Sequence, residues 1–382
     1  MAKPIYLDYQ ATTPLDQRAF EAMRPYFEEK FGNPHSSTHR YGWEAAAGVD
    51  VARDQIAECL DVKSPEVLFT SGATEANNLA IKGAMRTHHG GHMITVVTEH
   101  KCVLESAQAL EDEGFEVTYL PVKSDGLIDL DKLRASFRED TRLVSIMAVN
   151  NEIGVIQPLA DVAEIAHGKG ALFHCDAAQA FGKMAFKPKT LGVDIASFSG
   201  HKIYGPKGVG AIYIRSGSPL IRLKPHMDGG GQEGGIRSGT LSPALCVGFG
   251  VAASLAHMEM EHEQQRARRH FEQLLSGLRK DIPDLILNGS KDNRLYSNLN
   301  ISFPGIDGER LLSDLRQLAV SSGAACASAL SGPSYVLEAL SVPKRLAQAS
   351  LRIGTGRFTT DADIETAIEA IKNAVQMQKA KA

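Results

Sequence analysis

The chain has 382 residues, 43% hydrophobic and 23% charged, with a formal net charge of -4, which suits a globular protein with room for two domains or one large domain and a satellite. That balance offers no basic field for nucleic acid and no polybasic segment for a membrane surface, and no apolar run is expected to reach membrane-spanning length. The five cysteines (Cys59, Cys102, Cys175, Cys246 and Cys326) form no Cys-x-x-Cys pair, and the N-terminus has no signal-peptide core, so a disulfide framework and a zinc ribbon are disfavoured and a cytoplasmic location is expected.

In chain order, strand-like apolar runs at 66–70, 93–98, 117–120, 143–149 and 171–175 alternate with helical patterns at 76–87, 103–113, 130–137 and 159–168. This alternation predicts an α/β fold with a mostly parallel sheet covered by helices. After Pro243 the pattern changes. A long helix is expected over 244–279, with the charged run 259–269 as a solvated face on a connecting helix. A strand at 299–303, a helix at 307–318, a strand at 351–354 and an amphipathic helix at 360–377 then predict a small α+β unit.

Candidate site residues follow the same order. Thr70-Ser-Gly-Ala-Thr-Glu-Ala-Asn-Asn leaves a strand and opens a helix. Free amides and small residues at such a start suit a phosphate, with the Ala73 amide and Thr74 as donors, although Thr70 or Ser71 alone also reads as a helix cap. His88, His89 and His92 read as a solvated loop, with metal ligation as the alternative. His100 follows the strand at 93–98 and is expected at the same sheet edge, where an imidazole could stack on a pyridine ring and move protons, or simply form a turn. Asn151 offers either an amide to a ligand or a turn.

Asp176 ends a short apolar strand, where α/β enzymes place ligand-binding groups. It needs a cationic partner, and the protonated ring nitrogen of pyridoxal phosphate (PLP) fits; a strand-end cap is the alternative. In Ser199-Phe-Ser-Gly-His-Lys-Ile-Tyr-Gly-Pro-Lys-Gly-Val-Gly210, Lys202 lies on a glycine-rich turn that a flat cofactor could approach closely. Alone it would read as a surface lysine. With Asp176 it points to covalent PLP chemistry. Near the C-terminus, small and polar residues surround Cys326, so its sulfur is expected on an accessible loop as a thiolate nucleophile, against the plainer reading of a small residue among alanines. Arg352 suits bidentate binding of a carboxylate, or a surface salt bridge.

Taken together, Leu7-Asp-Tyr-Gln-Ala-Thr-Thr-Pro14, Phe31-Gly-Asn-Pro34, Ser71-Gly-Ala-Thr-Glu75, Thr98-Glu-His100, Asn150-Asn-Glu-Ile-Gly154, Asp176-Ala-Ala-Gln179, Ser199 to Lys202, Arg237-Ser-Gly-Thr240 and the Cys326 segment resemble the class V aminotransferase family of PLP enzymes. More narrowly, they resemble its cysteine desulfurases of iron–sulfur cluster assembly. The resemblance implies a large domain over 15–257 built on a mostly parallel seven-stranded sheet. It also implies a small domain from 1–14 and 258–382, carrying the catalytic cysteine loop at about 321–334.

The resemblance further implies that Lys202 holds PLP covalently and carries protons, Asp176 pairs with the ring nitrogen, Gln179 bonds the phenolate oxygen and His100 stacks on the ring. Ala73, Thr74, Ser199 and His201 would bind the phosphate, with Thr240 reaching across a homodimer. Asn151 would touch cofactor or substrate, while Asn33 and Arg352 would hold the carboxylate of L-cysteine. Cys326 would take sulfur as a persulfide, leave L-alanine, and pass sulfur to an iron–sulfur scaffold or another acceptor protein, presenting it to or ligating a cluster only transiently. No resident metal, nucleic acid or membrane partner is implied. Related alternatives are a class V aminotransferase, a selenocysteine lyase or a catalytically silent sulfur-assembly platform. The chain departs from the pattern at Gly234, where relatives usually carry arginine, at Ala324 before Ala325-Cys326, and in its short C-terminus.

Overall fold

The computed structural model describes residues 3–322 and 334–380; Cys326 lies outside the described residues. The strands in chain order are β1 Ile5–Tyr6, β2 Val67–Thr70, β3 His92–Val96, β4 Glu116–Leu120, β5 Thr141–Ser145 and β6 Leu172–Asp176, then β7 Ile195–Ser199, β8 Gly210–Ile214, β9 Ile286–Leu287, β10 Asn298–Ser302, β11 Leu318–Ala319 and β12 Ser350–Gly354.

Seven strands form one sheet in the order β2-β8-β7-β6-β5-β3-β4. Only β8 runs antiparallel to its neighbours, β2 and β7; the remaining pairs are parallel. Helices cover both faces, so successive strand residues enter opposite cores. Met93, Ile195 and Ile212 join one apolar cluster with Leu79 and Leu110, whereas Ile94, Ala196 and Tyr213 join another with Ile56, Phe173 and Phe249. Burial on both faces explains why these strands read in sequence as continuous apolar runs.

Helix Pro243–Asp281 links this sheet to a second core. Its first half presents Cys246, Phe249, Ala252 and Ala256 to the sheet side, and its second half presents Phe271, Leu274 and Leu278 to the β12-β10-β9 sheet and helix Asp361–Lys379. Small residues allow close packing on helix Arg40–Leu60: a Cβ on Gly250 would lie 2.6 Å from the Ala52 Cα. The first half corrects the sequence expectation about membrane-spanning runs, because by length and composition alone it is apolar enough to cross a membrane. More than half of that stretch is buried within the protein, as expected of a core helix.

Three other expectations are corrected. The helix expected over 307–318 ends at Asp314, because Leu318 and Ala319 pair in parallel with Ile5 and Tyr6. His92 is no loop residue: it opens β3, fully buried between the hydroxyls of Thr141 and Thr118, each 2.8 Å from a ring nitrogen. The charged run on the long helix is only partly solvated, since Glu259 and Glu263 pair with Arg18 and Arg357.

Candidate active site

Parallel strands deliver their C-terminal ends to one edge of the sheet, and the candidate residues lie at or just beyond those ends. Thr70 closes β2, His100 lies four residues beyond β3, Asn151 six beyond β5, Asp176 closes β6 and Ser199 closes β7. Because β3, β5, β6 and β7 are consecutive in the sheet, His100, Asn151, Asp176 and the 199–202 turn come to neighbouring positions along that edge.

Lys202 ends a single 3-10 turn, Gly200–Lys202, and its Nζ donates at 2.7 Å to the carbonyls of both Gln10 and Ala11. Asp176 is buried. Its Oδ2 accepts from Asn77 Nδ2 at 2.7 Å, and its Oδ1 accepts from the Ala178 amide at 2.9 Å. His100 caps helix Lys101–Asp112 through Nδ1, which lies 3.0 Å from Cys102 Sγ. Burial lowers the His100 pKa, the Asp176 charge opposes that shift and the Lys202 charge adds to it; the three groups therefore share one electrostatic environment, with His100 biased to neutral imidazole. His201, whose Nδ1 lies 3.0 Å from Thr12 Oγ1, is lowered to about 4 by burial and then by Lys202.

Gln179 joins these groups to the N-terminal segment. Its Nε2 donates to the Gln10 carbonyl at 2.9 Å, while its Oε1 accepts from Lys183 Nζ at 2.8 Å. Lys183 and Gln10 also line a cavity of about 260 Å³ between the two cores, together with Tyr204, Glu263 and Tyr296. Helix Ala73–Met85 begins at Gly72, and the amides of Ala73 and Thr74 have no acceptor among the described residues. Glu75 takes the Ser71 amide at 2.8 Å and the Arg237 guanidinium at 2.7 and 3.2 Å, which fixes this helix start.

Arg352 is fully buried. It donates to Asp8 Oδ1 at 2.7 Å and, at 3.2 Å each, to Ser321 Oγ and the Asn151 carbonyl. It is thus no surface salt-bridge residue. Two expected site residues stand apart: Asn33 is exposed with its amide oxygen taken by the His35 amide, and Thr240 is exposed on the strap that follows Arg237. At Gly234 the backbone is left-handed (φ 65°), flanked by Glu233 and Gly235, also at positive φ. The glycine is therefore suited to its local turn.

Sequence reasoning missed Asn77, the Gln10 and Ala11 carbonyls and Lys183. Asn77 was within reach, since it lies one turn after Ala73 and Thr74 on the helix face it shares with Ala80, Ile81 and Ala84. The carbonyls left no side-chain signal to read.

The four described cysteines are free, and burial is the first cause raising each thiol, to about 12 for Cys59, Cys102 and Cys246 and well above the ordinary value for Cys175. Such thiols are inert near neutral pH. The site residues fit PLP by an independent criterion: two helix-start amides and buried amide oxygens at Asn77 and Asn151, all without a partner among the described residues, together with a buried carboxylate, form a donor and acceptor set matching its phosphate, ring nitrogen and ring substituents.

Comparison with known proteins gives the same direction. The aminotransferase class-V family matches residues 5–366. A protein named cysteine desulfurase IscS from Rickettsia bellii (strain OSU 85-389) is 52% identical over 370 residues, covering 96% of this chain and 90% of the relative. Its counterpart from Rickettsia rickettsii (strain Iowa) is 49% identical over 379 residues, covering 99% and 92%. Among solved structures, a NifS-like protein superposes with a TM-score of 0.90 at 37% identity, covering 98% of this chain and all of that one. A structure described as SspA in complex with cysteine gives 0.83 at 37% identity, covering 93% and 100%.

Proposed function

Because the chain belongs to the class-V aminotransferase family, we infer from its site that it is a PLP-dependent cysteine desulfurase, which converts L-cysteine to L-alanine and retains the sulfur on Cys326. The reaction balances as L-cysteine plus the Cys326 thiol giving L-alanine plus the Cys326 persulfide. The observation that carries this reading is the placing of Lys202, Asp176 and His100 along one sheet edge beside helix-start amides that have no acceptor among the described residues. Bound PLP supplies an electron sink for the carbanion formed when the substrate loses its α-proton.

The chain's own groups would then do the following. The amides of Ala73 and Thr74, with Ser199, His201 and a partner subunit's copy of the exposed Thr240, hold the phosphate. Asp176, kept in place by Asn77 and the Ala178 amide, holds a proton on the ring nitrogen, and neutral His100 lies against the ring. Gln179 donates to the phenolate oxygen. Lys202 anchors the cofactor and moves the α-proton. Arg352 would hold the substrate carboxylate together with the amide nitrogen of the exposed Asn33, and Asn151 would touch cofactor or substrate. Cys326 attacks the substrate sulfur as a thiolate.

A homodimer is supported by exposed aromatic residues on adjoining segments, Phe27, Phe31, Tyr41 and Trp43, with the Phe31 and Tyr41 rings 5.3 Å apart; apolar exposure of this kind marks contact surfaces. The two apolar cores joined by the long helix support a division into a large domain over 15–257 and a small domain over 1–14 and 258–382. Sulfur would leave for an iron–sulfur scaffold or another acceptor protein, in the cytoplasm, where thiols stay reduced.

The test is Cys326→Ser in the PLP-loaded protein. With a dithiol present to reduce the persulfide, sulfide release from cysteine should fall to background while the visible absorbance of the cofactor is unchanged, and mass spectrometry of the wild-type Cys326 peptide after exposure to cysteine without the dithiol should show one added sulfur atom. Undiminished turnover in the variant would refute the assigned nucleophile.

A further inference from the structure

The cavity of about 260 Å³ between the two cores is set apart from the cofactor edge, because none of Lys202, Asp176, His100 or Thr74 lines it. Segments far apart in the chain build its walls. Lys183 follows β6, Glu263, Gln264 and Arg266 lie on the long helix, Arg294 precedes β10 and Thr355 follows β12. Gln264 is exposed, so the cavity reaches the surface along the long helix.

Charge around this cavity does not balance. Three cations, Lys183, Arg266 and Arg294, line it against one acid, Glu263, whose carboxylate is taken by Arg357 at 2.5 Å. Lys183 Nζ donates to Gln179 Oε1 at 2.8 Å and to no carboxylate among the described residues, which leaves it spare N–H donors. Arg294 is 3% exposed and gives its guanidinium to the carbonyls of Ser290, Ile153 and Asn298 at 3.0, 3.1 and 3.0 Å, while its Nε has no partner among the described residues. A buried cation that meets no anion is costly to hold. The hydroxyl oxygens of Ser297 and Thr355, two further lining residues, are likewise buried and unpartnered among the described residues.

The remaining wall is apolar, with Ile156, Met184, Ile203 and Leu295 beside Tyr204 and Tyr296. A few convergent polar groups in an otherwise apolar pocket are the usual make-up of a small-molecule site. Since a cavity of about 150 Å³ takes a benzene ring, this one has space for a body of that size together with a charged group.

We propose that the cavity is a second ligand site, separate from the cofactor edge, for a small monocarboxylate with an apolar body. Its carboxylate answers the spare donors of Lys183 and Arg294, and its body lies against the aliphatic and tyrosine wall. Lys183 also bonds Gln179, whose Nε2 shares the Gln10 carbonyl with Lys202. A ligand on Lys183 thus stands two hydrogen bonds from a carbonyl that receives the cofactor lysine, which makes the site a place from which a metabolite bears on Lys202.

The experiment titrates phenylacetate into the PLP-loaded protein by isothermal calorimetry at pH 6, below the value of about 7 to which burial and then the Lys202 charge lower Lys183. Phenylacetamide, which keeps the body without the charge, and acetate, which keeps the charge without the body, are titrated in parallel. Phenylacetate should bind saturably, and each of the other two at least about 10-fold more weakly, the loss expected when a charge-assisted hydrogen bond or a buried ring is removed. Lys183→Met should weaken phenylacetate roughly 10- to 100-fold, as expected for one hydrogen bond to a charged group. Ala267→Leu, which narrows the cavity from the long helix and removes no polar group, should weaken it by about 10-fold or more through overpacking. No saturable binding to wild type overturns the proposal, as does equal affinity for phenylacetamide or acetate. Binding indifferent to both substitutions overturns it too, being the result expected if the carboxylate sits on Arg352 instead. Ala267→Leu decides the matter should Lys183→Met fail to fold. The titration reads binding heat and no turnover, so its failure is distinguishable from failure of the reading of Lys202 and Cys326.

Discussion

Lys183 was invisible in the sequence, being one lysine after a glycine, yet it decides how Gln179 sits. By donating to Gln179 Oε1 it fixes the amide so that Nε2 faces Gln10, whose carbonyl also receives Lys202. Its pKa is lowered to about 7, first by burial and then by the charge of Lys202. The sign follows from linkage: the folded state binds this proton less tightly than the unfolded state, so folding is penalised progressively as pH falls from the ordinary lysine value to about 7, with no further change below. Denaturant midpoints of wild type and Lys183→Met, measured from pH 10 to pH 6, should show the variant gaining on wild type down to about pH 7 and a constant difference beneath it. Lys202, Asp176 and His100 were legible because each falls within a contiguous motif at a strand end. Lys183 and Asn77 join the candidate site only through contacts made in the fold, to Gln179 and Asp176.

Among the elements, the β7–β8 hairpin was the hardest to anticipate. Glycines at 200, 205, 208 and 210 with Pro206 signalled a turn and concealed that the turn joins two fully paired strands, Ile195–Ser199 and Gly210–Ile214. Helix Arg40–Leu60 was missed for a different reason. Its buried face includes Ala45, Gly48, Ala52 and Ala57, which give little apolar periodicity although they permit close helix packing. Gly210 links the hairpin to the start of helix Ala73–Met85: a Cβ there would lie 2.4 Å from the Phe198 carbonyl oxygen and 2.6 Å from the Gly72 Cα, both backbone atoms that cannot swing aside. Gly210→Ala should therefore cost about 1–3 kcal/mol of stability, the usual range for overpacking. It should also weaken PLP binding, because the start of helix Ala73–Met85 is pushed away from the strand leading to Lys202. Thermal unfolding and cofactor titration of the same variant check both effects.

At the scale of the whole molecule, the two cores are joined by a buried charge cluster as well as by the long helix. Arg357, just after β12, donates to Asp16 at 2.6 Å and Glu263 at 2.5 Å, and its guanidinium lies 4.3 Å from the Tyr204 ring centroid. Removing this arginine takes from Glu263 its ion-pair partner in a poorly solvated seam and leaves Asp16 to Arg18. Arg357→Ala should cost about 3–5 kcal/mol in urea denaturation, as expected for breaking one side of a buried pair. Arg18 first, with Arg357 behind it, holds the Asp16 carboxyl well below the usual carboxylate range. Its stabilising contribution is therefore present above the ordinary Asp value and is lost progressively as pH falls below it. The same seam receives the N-terminal segment, whose β1 pairs with β11, whose Leu7 carbonyl takes the Gly354 amide, and whose Gln10 side chain reaches the Ser297 carbonyl. This has a consequence for the order of manufacture. A ribosome makes residues 1–14 about 280 residues ahead of their partners at 297, 318 and 352. The seven-stranded sheet can assemble on the nascent chain while the carbonyls that hold Lys202 still wait for their seat. A chain stalled before residue 297 would carry Lys202 without the contacts that seat the Gln10 and Ala11 carbonyls against its ammonium group.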